Sequence, residues 1–367
     1  MTERTTRLPW MIPLACMTIS LAGLAGLLRA DQLYGASRLF ERQLIWMSLS
    51  WPVMFVMTAF PYRILRNWSP LLYLLSLAAL VFVLFMPPVN GSRRWIPLGL
   101  FDFQPSEPAR LAFILALAHY LMYRDTQRTL QGLIPPFVIS VFPLLLILKE
   151  PDLGTAMLFL PILYTMLFAS GAKPLHLLLA ALAGIAMLPL LWHQMSSEQR
   201  SRVVTVFTQQ DGGIAPSGDG FHLHQSKQVL ALGGIRGSVA QEEPVIDDPA
   251  AWTLPAARTD FILCLIGERY GFGGVAVLLL LYVAVVCRGL LIARRTREPF
   301  GRLVAVGIVT MIGTQALINA GMTVGLMPIT GISLPMCSYG GSSLLSTYAA
   351  VGLLVNIGMR PGYEVGG

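Results

Sequence analysis

Runs of about twenty apolar residues recur from Pro9 almost to the end of this chain, separated by short polar breaks. The pattern predicts spanning helices over roughly 10–28, 43–60, 68–87, 107–123, 131–148, 153–170, 175–193, 261–287, 303–324 and 343–358. A helix of about twenty residues crosses a hydrocarbon core of about 30 Å and satisfies its own backbone groups inside lipid. A membrane β-barrel would show short alternating segments, and the chain has none. The expected fold is therefore an all-α polytopic membrane protein of about ten transmembrane helices, in one domain spanning 1–367. Two stretches break the apolar pattern. One is 88–104, with the run Asn90-Gly91-Ser92-Arg93-Arg94-Trp95. The other is the long segment 194–259 between the seventh and eighth helices, rich in Gly, Pro, Gln, Asp and Glu.

Composition agrees. Of 367 residues, 55% are hydrophobic and 12% charged, against about 25% charged in soluble domains. The net charge of +7 reads as cytoplasmic anchors and contacts for anionic lipid head groups, not as a nucleic-acid surface. With ten helices both termini share one side. The short connections there carry Arg4, Arg7, Arg63, Arg66, Arg124, Arg128, Lys173, Arg294, Arg295, Arg297 and Arg302. The opposite short loops carry Arg29, Arg38, Arg42, Arg93, Arg94 and Lys149. The positive-inside rule places both termini in the cytoplasm of a multi-pass cytoplasmic-membrane protein and 194–259 outside it. Cys16, Cys264, Cys287 and Cys337 form no CxxC pair and read as small core residues.

Ionisable residues at membrane depth are costly, and here they are Glu107, Arg110, Asp152, Asp260, Glu268 and Arg269. Glu107 and Arg110 share a helix face at i and i+3, either as a structural ion pair or as the lining of an anionic head-group site. Asp152, ahead of Leu153-Gly154-Thr155, suits a helix N-cap. Gly340-Gly341-Ser342-Ser343 opens the last helix, as a simple turn or as a place where backbone N–H groups approach an anion. His222 and His224 alone are a weak metal signal. Asp260 closes a polar loop and opens the apolar run Phe261-Ile262-Leu263-Cys264. It is either an N-cap or a partly desolvated general base. No phosphate-binding loop, HExxH or GxSxG motif occurs, which leaves ATP-driven transport and serine hydrolysis without support.

These residues fall into ordered blocks that resemble the SEDS family (shape, elongation, division and sporulation). The blocks are Asn90 to Gly99, Phe103-Gln104-Pro105-Ser106-Glu107-Pro108-Ala109-Arg110, Pro151-Asp152-Leu153-Gly154-Thr155-Ala156 and Gln199-Arg200-Ser201-Arg202. They continue with Phe221-His222-Leu223-His224-Gln225-Ser226, Leu254 to Ile262, Asn319-Ala320-Gly321-Met322 and Gly325 to Ser343. Pro328-Ile329-Thr330-Gly331 is more RodA-like, Ile266-Gly267-Glu268 more FtsW-like, and the balance favours RodA. The family pattern has Lys at Arg110, Glu at Ala256 and His at Arg258, and Arg236 to Pro244 replaces a Gly-rich stretch.

The resemblance implies a peptidoglycan glycosyltransferase of ten helices. It would polymerise lipid II, the undecaprenyl-pyrophosphate-linked disaccharide pentapeptide, at the outer membrane face for cell elongation or division. Asp260 matches the family's essential acidic residue and would deprotonate the acceptor hydroxyl in a single, inverting displacement. Arg93, Arg94, Arg110 and Lys227 are the candidates to neutralise the leaving pyrophosphate. Glu107, Asp152, Gln225, Ser226, Ser342 and Ser343 complete the substrate-binding set. No cofactor is assigned; a divalent cation is the one candidate, without a defined ligand set. The implied partners are lipid II, a class B penicillin-binding protein and membrane lipids, with no nucleic acid. Two rivals use the same residues: a flippase for the lipid-linked precursor, and a non-catalytic scaffold for the penicillin-binding protein.

Overall fold

The computed structural model describes residues 9–35, 37–88, 92–99, 101–209, 219–240 and 254–360. Arg4, Arg7, Asn90, Gly91 and the stretches 210–218 and 241–253 lie outside the described residues. Each expected span corresponds to a helical segment: α1 (Met11–Tyr34), α2 (Leu39–Ala59), α3 (Tyr62–Val83), α4 (Ser106–Leu121), α5 (Ile134–Lys149) and α6 (Leu153–Ala169). The seventh is split at Met187 into α7 (Pro174–Ala186) and α8 (Leu188–Gln194). Two further helices, α9 (Ser197–Phe207) and α10 (Asp219–Leu232), lie within the long polar segment. Then come α11 (Ile262–Arg295), α12 (Pro299–Thr323) and α13 (Gly341–Met359). A two-stranded antiparallel hairpin, β1 (Ile96–Pro97) and β2 (Asp102–Phe103), lies between α3 and α4.

Six described helical stretches are long and apolar enough to cross a membrane, α1, α3, α11, α12, α13 and Gln131–Lys149. Leu153–Ala169 and Pro174–Leu190 are shorter apolar helices. α4 carries Glu107 and Arg110 and is almost wholly buried, which is where lipid-soluble helices put their charges. α3 and α7 instead show apolar faces to the outside, with Leu71, Leu74, Leu75, Leu175, Leu178 and Leu182 exposed. Faces of that size belong against acyl chains rather than water.

α12 is the hub and packs against α4, α6, α10, α11 and α13. Small residues bring the helices close: a Cβ on Gly307 of α12 would lie 2.6 Å from the Ile114 side chain of α4. α1 outruns its expected end by six residues because Arg29 is held there. Its Nε donates to the wholly buried Glu268 carboxylate of α11 at 2.7 Å, and a second nitrogen pairs with the other oxygen. α11 bends at Gly271, whose φ of 66° breaks the helical run and favours glycine. Into that bend packs the Gly233–Gly237 turn after α10, with Phe272 N–H donating to the Gly234 carbonyl at 2.9 Å.

Candidate active site

At one end of the bundle a cavity of about 1250 Å³ gathers residues distant in sequence. One wall is the face of α2 formed by Arg42, Ile45, Trp46 and Leu49, which recur at helical spacing. The β-hairpin adds Arg94, Trp95, Phe101 and Asp102, and Trp46 meets Phe101 edge-to-face at 5.1 Å. The starts of α4, α6, α9 and α13 converge on the cavity with Glu107 and Arg110, Asp152 and Thr155, Ser196 and Gln199, and Gly341 and Ser343. Arg202, Thr259, Asp260, Gln315 and the segment Gly331–Ser333 complete it.

The helix starts differ. α6 is capped by Asp152, which accepts from Thr155 N–H at 3.0 Å and from its hydroxyl at 2.9 Å. The capping reading of Asp152 therefore holds, and its carboxylate also faces the cavity. α9 has a capping box, Ser196 with Gln199, which turns Ser196, Gln199 and Arg202 to the same side. α13 starts at Gly340 with no side-chain cap, so its first N–H groups are available to an anion in the cavity.

Glu107 and Arg110 do form the ion pair that their spacing suggested, and both are buried. Arg110 uses its planar fork: one terminal nitrogen binds Glu107 and the other donates to Gln315 Oε1 at 2.8 Å. Its Nε makes no hydrogen bond. Arg94 braces the turn between α5 and α6. Its Nε donates to the Glu150 carbonyl at 3.1 Å, a second nitrogen binds the Pro151 carbonyl, and the third lies 3.9 Å from the Asp152 carboxylate.

Asp260 ends a tight turn in which the Ala256 carbonyl accepts from the N–H groups of Thr259, Asp260 and Phe261 at 3.0–3.2 Å. The N-cap of α11 is Phe261, with no side-chain cap, so the capping alternative for Asp260 is not realised. The half-buried carboxylate lines the cavity beside Gly331, where an added Cβ would lie 3.6 Å from Oδ2. Burial pushes the Asp260 carboxyl up to about 6. The Thr259 hydroxyl and Arg202 pull the other way, Asp152 pushes it further up, and Arg94 pulls it down. A carboxylate titrating there is ionised at neutral pH and basic enough to take a proton in a transition state. Arg258, where the family pattern has His, binds the Asp31 carboxylate at 3.1 Å and the Gly35 carbonyl at 2.8 Å, tying this turn to the end of α1.

The cavity thus unites Arg94, Glu107, Arg110, Asp152, Asp260 and Ser343. The other sequence candidates stand outside it. Arg93 donates to the Leu84 carbonyl at 2.8 Å. Ser342 accepts from Gln104 N–H at 3.2 Å and donates to the Asp102 carbonyl, fastening the hairpin to α13. On α10, Ser226 donates to the Thr323 carbonyl at 3.0 Å and Lys227 binds Gln209, while Gln225 is buried. Sequence reasoning passed over Arg42, Arg202, Gln199 and Gln315. Arg202 and Gln199 lay within a motif block, and their signal was the capping box that opens α9. Among the described residues, no three carboxylate, imidazole or thiol groups come together as a metal site. His224 is buried and bonded to Gln228.

The chain matches the family described as "Cell cycle protein", that of FtsW, RodA and SpoVE, over residues 6–361. It is 33% identical over 323 residues to the peptidoglycan glycosyltransferase MrdB of Escherichia coli K12, covering 87% of this chain and 85% of that one. It is 35% identical over 357 residues to the stage V sporulation protein E of Bacillus subtilis, covering 95% of each. Its fold is similar, with a TM-score of 0.83 and 29% identity over 98% of this chain and 99% of the other, to a chain of a peptidoglycan synthase complex solved for its coordination of polymerization and crosslinking.

Proposed function

We propose that this chain, which belongs to the SEDS family of FtsW, RodA and SpoVE, is a peptidoglycan glycosyltransferase that polymerises lipid II at the outer face of the cytoplasmic membrane. The observation that carries the reading is Asp260: a half-buried, uncapping carboxylate in one cavity with Arg94, Arg110 and Arg202. In this mechanism Asp260 takes the proton of the acceptor's sugar hydroxyl. The oxygen forms a bond to the donor's anomeric carbon, and the bond from that carbon to the pyrophosphate breaks. The lipid pyrophosphate departs with the electron pair. One displacement inverts the anomeric centre.

The leaving group gains negative charge, and Arg94, Arg110 and Arg202 supply the opposite sign along the cavity wall. The uncapped start of α13 adds N–H donors. The apolar α2 face, with Ile45 and Leu49 largely exposed, gives a lipid-linked substrate a route along which its chain stays in the bilayer. Holding donor and acceptor in one cavity lowers the entropic cost of their meeting. Arg93, Gln225, Ser226, Lys227 and Ser342 act in this reading by holding the walls. No step is assigned to a divalent cation.

A class B penicillin-binding protein is the partner this reading calls for, because glycan strands must be crosslinked. The buried Glu107–Arg110–Gln315 cluster would equally serve a flippase for lipid II. Purified protein incubated with lipid II, with and without the partner and with a chelator arm, separates the readings. Glycan strands are expected from the polymerase, and translocation without strands from the flippase.

A further inference from the structure

Asn319 lies on α12 one helical turn beyond Gln315, and its side chain is wholly buried. The four-residue spacing sets both amides on one face, turned toward the segment 328–333. Gln315 Nε2 donates to the Ser333 carbonyl at 2.9 Å while its Oε1 accepts from Arg110 at 2.8 Å. Asn319 Nδ2 donates twice, to the carbonyl of Asp260 at 2.8 Å and to the carbonyl of Ile332 at 2.7 Å. Two carbonyl oxygens facing one point repel unless a donor with two hydrogens stands between them. A primary amide is the compact neutral side-chain group that fits, since a hydroxyl carries one hydrogen and a carboxylate none.

We infer that Asn319 is a positioning residue for glycosyl transfer: its amide clamps the Asp260 turn to the edge of the Gly331–Ile332 segment, and with Gln315 it fixes the separation between the Asp260 carboxylate and the Arg110 cation. On the same helix the Thr323 hydroxyl donates to the Asn319 backbone carbonyl at 2.8 Å, and the Ser226 hydroxyl of α10 donates to the Thr323 backbone carbonyl at 3.0 Å, which fixes α10 against this stretch of α12. Gly331 itself has a φ of 72°, which favours glycine, and a Cβ there would meet Asp260 Oδ2 only at ordinary contact distance, 3.6 Å.

The inference rests on the assignment of Asp260 as the base. It is tested in the full chain with its class B partner on lipid II, using Asn319→Asp and Asn319→Gln and expressing turnover per folded molecule. The Asp variant keeps the size and removes the paired donors. The Gln variant keeps the donors and moves them by one methylene, so it carries the test where the Asp variant does not fold. A misplacement near 1 Å costs about 10²-fold in rate, so turnover is expected to fall about 10²-fold in Asp and about ten-fold in Gln, with KM kept within about two-fold. In the Gln variant, which adds no charge beside Asp260, the acid limb of the pH–rate profile is expected to shift as well, which a merely structural amide would not cause. Unchanged turnover per folded molecule in both variants, a loss confined to KM, or an unmoved acid limb would overturn the inference. Asp260→Asn runs in parallel. If it stays active, the base assignment itself is wrong; if it is dead while both Asn319 variants are normal, the clamp alone is wrong.

Discussion

Arg258 stands 3.1 Å from the Asp31 carboxylate, and Asp31 also accepts from the Ser37 hydroxyl at 2.7 Å, so the turn bearing Asp260 hangs from the end of α1. Both side chains are partly exposed. Such pairs contribute only about 0–1 kcal/mol to stability, and the expected effect is on geometry. Arg258→Ala should melt close to the parent yet lose turnover on lipid II by about ten-fold with KM kept. The exchange Asp31→Arg with Arg258→Asp should recover part of it. Steady-state kinetics on the single and exchanged variants check this, and a fully active Arg258→Ala would leave the pair without a role.

Arg110 has two tasks that separate experimentally. Removing it alone leaves the buried Glu107 carboxylate unpaired, which costs about 3–5 kcal/mol. Arg110→Ala should therefore lower both thermal stability and activity. Neutralising both partners, with Glu107→Gln and Arg110→Met, should restore most of the stability and none of the turnover. Melting curves beside lipid II assays decide; recovery of activity in the neutral pair would make Arg110 purely structural.

Glu150 predicts a pH dependence of stability. It is wholly buried and neither carboxylate oxygen has a hydrogen-bond partner. Burial pushes its carboxyl from 4.5 up to about 8, Asp152 adds to the rise and Arg94 opposes it. The folded protein holds this proton where the unfolded chain has released it. Its contribution to stability is thus complete below the unfolded value of 4.5 and is lost as pH rises through about 8. Glu150→Gln imitates the protonated form. It should melt with the parent near about pH 4.5 and above it beyond about pH 8, by an amount on the order of a few kcal/mol. A constant offset at every pH would contradict this.

Orientation follows from charge. The cluster Arg294, Arg295, Arg297 and Arg302 surrounds the junction of α11 and α12, at the end of α11 remote from Asp260, and the positive-inside rule predicts a cytoplasmic position for it. A cysteine at Ser217 should then react with an impermeant reagent added outside cells, and one at the exposed position of Arg297 should not. The reverse labelling pattern would invert the topology and remove the outer-face assignment.

Much of this was legible in the chain, and the reasons for the rest are physical. The apolar runs gave the spans because lipid demands about twenty apolar residues per crossing. Helix ends proved less visible: α1 continues past its apolar run to hold Arg29 against Glu268, a partner 239 positions away. α9 and α10 carry little apolar signal, and α9 announces itself only through the Ser196 and Gln199 cap. In the site, the i, i+3 spacing foretold the Glu107–Arg110 pair, and the polar-to-apolar border marked Asp260. What the sequence withheld was company. Nothing local to Arg42, Arg202 or Gln315 says that three separate helices aim them at one cavity. Nor does anything near Ser226 and Lys227 say that their side chains reach the Thr323 carbonyl and Gln209.

The most direct measurement is lipid II polymerisation by purified Asp260→Asn, complexed with its class B partner and checked for folding. Asn matches Asp in size and keeps the backbone bonds that Asp260 makes to Ala256 and Asn319, but it accepts no proton at neutral pH. Loss of the base alone should cost about 10²–10⁴-fold in turnover with stability and partner binding intact. The parent's rate should fall as pH drops through about 6, where the Asp260 carboxylate takes up a proton. A stable Asp260→Asn protein that polymerises lipid II at nearly the parent rate would contradict the account.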